Sequence, residues 1–197
     1  MDANGIEKLK KDLDILAAMA AEMDDYLRSD VQFWPLQNGN MPRLTLGGYL
    51  MRQHRLAALA HLLPEADKSR LITTMETFRE ALGEKIVRFE TKAQEELDMR
   101  LRQWEGFLRN LGREDSIPAY YATSVETRAM IAALRSQLQI APYRLSERAA
   151  ERINLLDRQL RNRFQSGDFI WPEEWRPAYA QDRYWWLYGR PGQSSTH

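Results

Sequence analysis

Residues 64–111 read PEADKSRLITTMETFREALGEKIVRFETKAQEELDMRLRQWEGFLRNL. Apolar side chains recur here at every third or fourth position, with an average spacing of about 3.6 residues, which is the period of an α-helix. They are Leu71, Met75, Phe78, Leu82, Ile86, Phe89, Ala93, Leu97, Leu101, Trp104, Leu108 and Leu111. No proline follows Pro64 in this segment, so the pattern predicts one continuous helix from Pro64 to Leu111 with an apolar stripe along one side.

The length of this helix would set the shape of the protein. A helix of about 48 residues measures about 72 Å, whereas a compact globule of this chain's 197 residues has a diameter of roughly 40 Å. We therefore expect an all-α fold, an elongated antiparallel helical bundle built on this long central helix. The alternative is a four- or five-helix bundle from which the helix protrudes. Gly83 and Gly106 lie inside the pattern and are the two positions where a bend would fall.

Four further helices are predicted, over residues 5–29, 45–63, 123–139 and 146–167. Thr45 and Ser146 are suitable N-cap residues, and Thr123 with Glu126 matches a capping box. No segment shows the alternation typical of a half-buried strand. We interpret residues 1–167 as one helical bundle domain.

The last thirty residues differ from the rest because aromatic residues alternate with prolines. Residues 168–197 are predicted to form an irregular, aromatic-rich extension that packs on the bundle, with one short helix near Pro172–Trp175 and disordered final residues. The alternative is that these aromatic side chains bind a partner, because Trp and Tyr are enriched at interfaces. The tryptophans concerned are Trp171, Trp175, Trp185 and Trp186.

The composition excludes several classes of protein. Lys and Arg together number 28 and Asp and Glu together number 28, so the net charge is zero, which argues against a dedicated nucleic-acid or membrane-surface protein. There is no cysteine, so disulfides and thiolate chemistry are excluded. The first residues lack the basic and apolar regions of a signal peptide, and no apolar run reaches the roughly 20 residues of a membrane span. We expect a cytoplasmic location.

The polar residues match no catalytic or metal-binding motif. Glu76, Glu80 and Glu84 share one helix face, but they lie off the apolar stripe and are typical of a solvated, salt-bridged surface. His54 and His61 are two helical turns apart, about 10 Å, which is too far for one metal ion without further ligands. No phosphate-binding loop, nucleophile elbow or zinc-binding helix motif is present. No catalytic residue, metal or cofactor is predicted, and the sequence favours a protein that is not an enzyme.

Three functions remain open. The first is an interaction or scaffold protein that self-associates, or binds a protein partner, through the apolar stripe of the long helix. The second is a small-molecule-binding or enzymatic bundle with an apolar pocket lined by Trp34, His54 and aromatic residues of the C-terminal extension. The third is nucleic-acid binding through the Arg-rich residues 144–163, which the balanced charge makes the weakest of the three. The candidate ligand- or partner-binding residues are Trp34, His54, His61, Trp171, Trp175, Trp185 and Trp186.

Overall fold

The computed structural model describes residues 3–111 and 117–192, and their structure is mostly helical. The helices are α1 Ala3–Ala21, α2 Met23–Arg28, α3 Leu46–Ala58, α4 Glu65–Leu82, α5 Ile86–Asn110, α6 Ile117–Leu138 and α7 Glu147–Arg161. Two short strands, β1 Phe164–Phe169 and β2 Tyr188–Pro191, and three 3-10 turns, Ala60–Leu62, Glu173–Ala178 and Trp185–Leu187, complete the described elements. The predicted all-α fold class with an aromatic-rich C-terminal region is confirmed.

The segment from Pro64 to Leu111 forms two helices, so the prediction of one uninterrupted helix is wrong at one point. Helix α4 ends where the Gly83 N–H donates to the Arg79 carbonyl, and α5 begins at Ile86. Gly83 has φ +34°, a left-handed conformation that favours glycine and breaks the helical path. Gly106 lies inside α5 without interrupting it. The long central helix is therefore α5, with 25 residues and a length of about 37 Å.

The apolar stripe continues across this break and is buried within the chain. Phe78 and Phe89 flank the break with ring centroids 6.3 Å apart, and both are buried. Helix α4 packs mainly against α1 and α5 mainly against α6 and α7, whereas α2 and α3 contact both halves of the stripe. Ile86, next to the break, is 38% exposed. The apolar stripe, for which the sequence alone identified no partner, is thus largely buried by other helices of the same chain.

Two predicted N-cap residues are confirmed, whereas one predicted helix start and one predicted continuous helix are wrong. The Thr45 hydroxyl accepts the Gly48 N–H at 3.0 Å, and the Ser146 hydroxyl accepts the Ala149 N–H at 3.2 Å, so both predicted N-caps are confirmed. The capping box at Thr123 lies inside α6, which begins six residues earlier at Ile117. The predicted helix over residues 5–29 is interrupted at Glu22, between α1 and α2.

The two strands were not predicted, because neither shows a regular alternation of apolar and polar residues. Helix α7 ends at Arg161, and the chain continues into β1, which pairs antiparallel with β2, so Gly167 lies in a strand instead of ending a helix. Gly189, expected to begin a disordered terminus, belongs to β2; an added Cβ there would lie 2.1 Å from the Gln165 carbonyl oxygen. The terminal residues 193–197, also expected to be disordered, lie outside the described residues.

The C-terminal aromatic segment packs against the helices. Tyr179 and Trp186 are 1% and 3% exposed, and the Tyr121 hydroxyl of α6 donates to the Trp186 carbonyl at 2.7 Å. The Trp171 indole N–H donates to the Ala122 carbonyl at 3.3 Å. The 3-10 turn Glu173–Ala178 lies close to the position of the predicted short helix. Within the described residues, no helix combines the length and the apolarity that crossing a bilayer requires.

Candidate functional site

The sequence-predicted site residues occupy separate places in the fold. His54 lies on α3 beside Tyr179 and Tyr184, with ring centroids 5.5 Å apart in both pairs. Trp34 donates its indole N–H to Glu22 Oε2 at 2.8 Å and forms a backbone bridge with Leu44, in the connection before α3. His61 is exposed in the turn that follows α3. The four C-terminal tryptophans divide into two pairs, described below.

Helices α3 and α6 and the C-terminal segment line a cavity of about 190 Å³ that is partly open to solvent, which we call the His54 cavity. Its lining is mostly apolar, with a few polar groups from each element. The lining residues are Leu50, Met51, Gln53, His54, Ala129, Ala133, Ser136, Gln137, Ile140, Tyr179 and Tyr184. Trp34 and His61 do not line it, so the predicted pocket that joins Trp34 to His54 does not form as one cavity.

His54 is held as a neutral imidazole with one free nitrogen. Its Nε2 lies 2.8 Å from the Ala178 carbonyl oxygen, which only accepts, so Nε2 carries the proton. Burial lowers the pKa of His54; the hydrogen bond to Ala178 opposes this, and the charges of Arg183 and Arg55 add to it. The neutral form therefore dominates at neutral pH, and Nδ1, which has no hydrogen-bond partner among the described residues, is available as an acceptor.

Tyr184 supplies a complementary donor in the same cavity. Its hydroxyl oxygen lies 3.2 Å from the protonated Nε2 of His54, so it accepts in that contact and keeps its own hydrogen for another partner. Burial raises the pKa of Tyr184, so the hydroxyl stays protonated. The cavity therefore offers one acceptor, one donor and a mostly apolar wall.

The first pair of tryptophans, Trp171 and Trp175, surrounds the side chain of Arg55. The guanidinium carbon of Arg55 lies 3.6 Å from the Trp175 ring centroid and 5.2 Å from that of Trp171. Arg55 also donates to the Tyr179 hydroxyl at 3.1 Å and pairs with the carboxylate of Asp12 on α1. This buried cation joins α1, α3 and the C-terminal segment, so the contacts of Trp171 and Trp175 in this structure are with the chain itself.

The second pair, Trp185 and Trp186, lines a polar cavity of about 300 Å³ between α6, α7 and the C-terminal segment, which we call the Arg128 pocket. The Arg128 guanidinium lies 3.7 Å from the Trp186 ring centroid, and that of Arg161 lies 4.0 Å from the Trp185 centroid. The lining residues are Arg128, Ala132, Arg135, Ser136, Gln139, Asp157, Arg161, Asp182, Arg183, Tyr184, Trp185 and Trp186. Ser136 and Tyr184 also line the His54 cavity, so the two cavities are neighbours.

Sequence reasoning missed most of these lining residues. Arg128, Arg135 and Arg183 lie outside the Arg-rich stretch of residues 144–163, and only the packing of three elements brings them together with Arg161. Tyr179 and Tyr184 were recognised as part of the aromatic extension, but nothing in the sequence places them beside His54. The chain matches no known family model, and comparisons with curated proteins and with solved structures found no significant match.

Proposed function

We propose that this helical protein binds a small, largely apolar molecule in the His54 cavity. The observation that supports the proposal is the cavity itself, about 190 Å³ in volume, closed on one side by Tyr179 and Tyr184 of the C-terminal segment. An apolar cavity of about 150 Å³ holds a molecule the size of benzene, so this cavity has room for a single aromatic ring. Binding sites of this kind combine an apolar wall with a few placed polar groups.

The polar groups of the cavity define the chemistry of the ligand. The free Nδ1 of His54 accepts a hydrogen bond, and the Tyr184 hydroxyl donates one. A small ring that carries a hydroxyl can donate to His54 Nδ1 or accept from the Tyr184 hydroxyl, whereas the same ring with a methyl in place of the hydroxyl does neither. Phenol and toluene are therefore a matched pair of probes.

Calorimetric titration of the full chain with phenol and with toluene tests the proposal. Phenol is expected to bind saturably and about tenfold more tightly than toluene, because the hydroxyl adds a hydrogen bond. Ala133→Leu fills the cavity from α6 and is expected to remove the binding, whereas Ala57→Leu, at an exposed position of α3, leaves it unchanged. Absence of saturable binding up to ~10 mM of either probe, or equal binding by the Ala133→Leu variant, would overturn the proposal.

Self-association, or binding of a protein partner, stays a prediction, as does a cytoplasmic location. The argument for self-association was an uncovered apolar stripe, and that stripe packs against helices of the same chain. Light scattering after size exclusion measures the mass directly, and a monomer at micromolar concentration with no partner recovered would remove this function.

Nucleic-acid binding through residues 144–163 also stays a prediction. Of the arginines in this stretch, Arg152 pairs with Glu105 at 2.6 Å and Arg161 stacks on Trp185, whereas Arg144, Arg148, Arg158 and Arg163 are exposed. If this surface binds nucleic acid, affinity must fall steeply as salt rises. A titration with a single-stranded oligonucleotide at two salt concentrations measures that slope, and absence of binding at low salt would exclude it.

A further inference from the structure

The Arg128 pocket holds more positive charge than the described residues neutralise. Four arginines and two aspartates line it. One aspartate, Asp157, is taken up by a bidentate ion pair with Arg128, whose Nε and Nη2 lie 2.9 and 2.8 Å from its two oxygens. Arg135, Arg161 and Arg183 form no ion pair within residues 3–111 and 117–192, and only Asp182 remains to balance them. The pocket therefore has an excess of two positive charges.

Arg128 is a fixed cation with one unsatisfied donor. The residue is 3% exposed, and its guanidinium is held at one edge by Asp157 and at one face by the Trp186 ring. The remaining nitrogen, Nη1, is buried and has no hydrogen-bond partner in the described part of the chain. Nη1 has almost no accessible surface, so it does not itself face an anion in the pocket, and the excess charge there comes from Arg135, Arg161 and Arg183.

The geometry points to the Arg128 pocket as a binding site for a small molecule that carries a phosphate group. Arg135 lines the pocket from α6 and Arg183 lines it from the C-terminal segment, so the excess positive charge comes from two separate elements. The volume of about 300 Å³ lies at the lower end of the range for small-molecule sites. This site does not depend on ligand binding in the His54 cavity.

The shape of the pocket favours a small phosphate compound over a nucleic acid. The lining arginines converge in one concave pocket, whereas a nucleic-acid backbone presents phosphates along an extended line. The exposed Arg148 and Arg158 of α7, which an extended phosphate backbone would contact, do not line the pocket. Binding of a nucleic acid is therefore treated as an alternative result, which the experiment below distinguishes from binding of a small phosphate compound.

Titration calorimetry with inorganic phosphate and pyrophosphate, in a low-salt buffer free of phosphate, tests the assignment. Pyrophosphate is expected to bind saturably, and Arg135→Gln and Arg183→Gln are each expected to weaken it about tenfold, because each removes one charge-assisted contact. Asp182→Asn removes the opposing charge and is expected to strengthen binding severalfold. Arg128 is left intact, because breaking its buried pair with Asp157 is expected to unfold part of the protein.

Arg148→Gln is the matched control, since it removes an exposed arginine of α7 that lies outside the pocket. The assignment is overturned if neither probe binds up to ~10 mM, or if the control weakens binding as much as the pocket variants do. It is also overturned if a single-stranded RNA oligonucleotide binds more tightly than pyrophosphate and loses that affinity in the control. The Ala133→Leu variant, which fills the His54 cavity, is expected to bind pyrophosphate normally, so the two sites are tested separately.

Discussion

The guanidinium of Arg55 lies 3.6 Å from the ring centroid of Trp175, although the two residues are 120 positions apart in the sequence. Arg55 comes from the last turn of α3, and Trp175 comes from the 3-10 turn of the C-terminal segment. Asp12 of α1 pairs with the same guanidinium, so a single buried cation connects three parts of the chain. The C-terminal segment is therefore held on the bundle by a specific polar contact as well as by apolar packing.

Replacing Trp175 tests this connection. Trp175→Ala is expected to lower the free energy of unfolding by about 2–3 kcal/mol, because it removes both the partly buried ring and the cation–π contact with Arg55. Denaturant unfolding measures the change. Tyr120→Ala, which removes an aromatic side chain that is 63% exposed, is the control and is expected to stay within about 0.5 kcal/mol of the parent. Equal effects of the two substitutions would contradict a specific role for Trp175.

Two glycine substitutions, one at the break between α4 and α5 and one inside α5, are expected to change stability in opposite directions. Gly83→Ala is expected to destabilise the protein by about 1–2 kcal/mol, because φ is +34° and an added Cβ lies 3.1 Å from the Glu80 carbonyl oxygen. Gly106→Ala is expected to stabilise it by about 0.5–1 kcal/mol, since that site is helical with open space around the Cβ. Thermal unfolding of both variants measures the difference, and stabilisation by Gly83→Ala as well as by Gly106→Ala would argue for a continuous helix.

Glu96 is a buried carboxylate that ties α5 to the start of α3. It is 0% exposed, accepts the Gly47 N–H at 2.9 Å, and pairs with Arg100 one turn further along α5. Glu96→Ala is expected to lower the free energy of unfolding by about 3–5 kcal/mol, because it leaves the Arg100 charge buried without its partner. Asp98→Asn, at an exposed position of the same helix, is the control in denaturant unfolding and is expected to have little effect. A loss below about 1 kcal/mol for Glu96→Ala would show that the pair is not important for stability.

The lowered pKa of His54 predicts a dependence of stability on pH. Burial, the main cause, places the pKa of the folded state below the ordinary value of 6.5, so the unfolded chain binds a proton more readily. This contribution is fully present above pH 6.5 and is lost as the pH falls toward the folded-state pKa, so the free energy of unfolding rises with pH in that window. Urea unfolding between about pH 5 and pH 8 measures the slope.

Two histidine variants separate this effect from other titrations. His54→Gln is expected to remove part of the slope, whereas His61→Gln, which changes an exposed histidine, keeps it. If the slope were the same in the parent and in His54→Gln, the assignment of the pH dependence to His54 would be wrong.

The sequence predicted the helical fold because its main signals are local. The apolar spacing from Leu71 to Leu111 identified the buried face of both helices in that segment, and the N-caps at Thr45 and Ser146 were correct. The same spacing gave no sign of the break at Gly83, since the three residues 83–85 preserve the 3.6-residue phase of the stripe. A glycine inside a helical pattern is compatible with a continuous helix or with a turn, and packing decides between them.

The candidate sites were less predictable than the fold because their residues are distant in the sequence. His54 was singled out from the sequence, but its contacts with Ala178 and Tyr184 depend on where the C-terminal segment packs. Arg128 and Arg183 had no local feature that distinguished them from other surface arginines. The short strand pair was missed for a similar reason, since β1 and β2 stabilise each other through backbone pairing that neither segment encodes alone.

By itself, the amino-acid sequence determined which segments are helical and which side of each helix is buried, because hydrophobic periodicity and capping act over a few residues. Only the tertiary structure decided that the long apolar segment turns at Gly83, that the C-terminal aromatics pack around Arg55, and that the His54 cavity and the Arg128 pocket form. These features arise from contacts between residues far apart in the chain. Their free energy depends on the simultaneous packing of several elements, which no local pattern records.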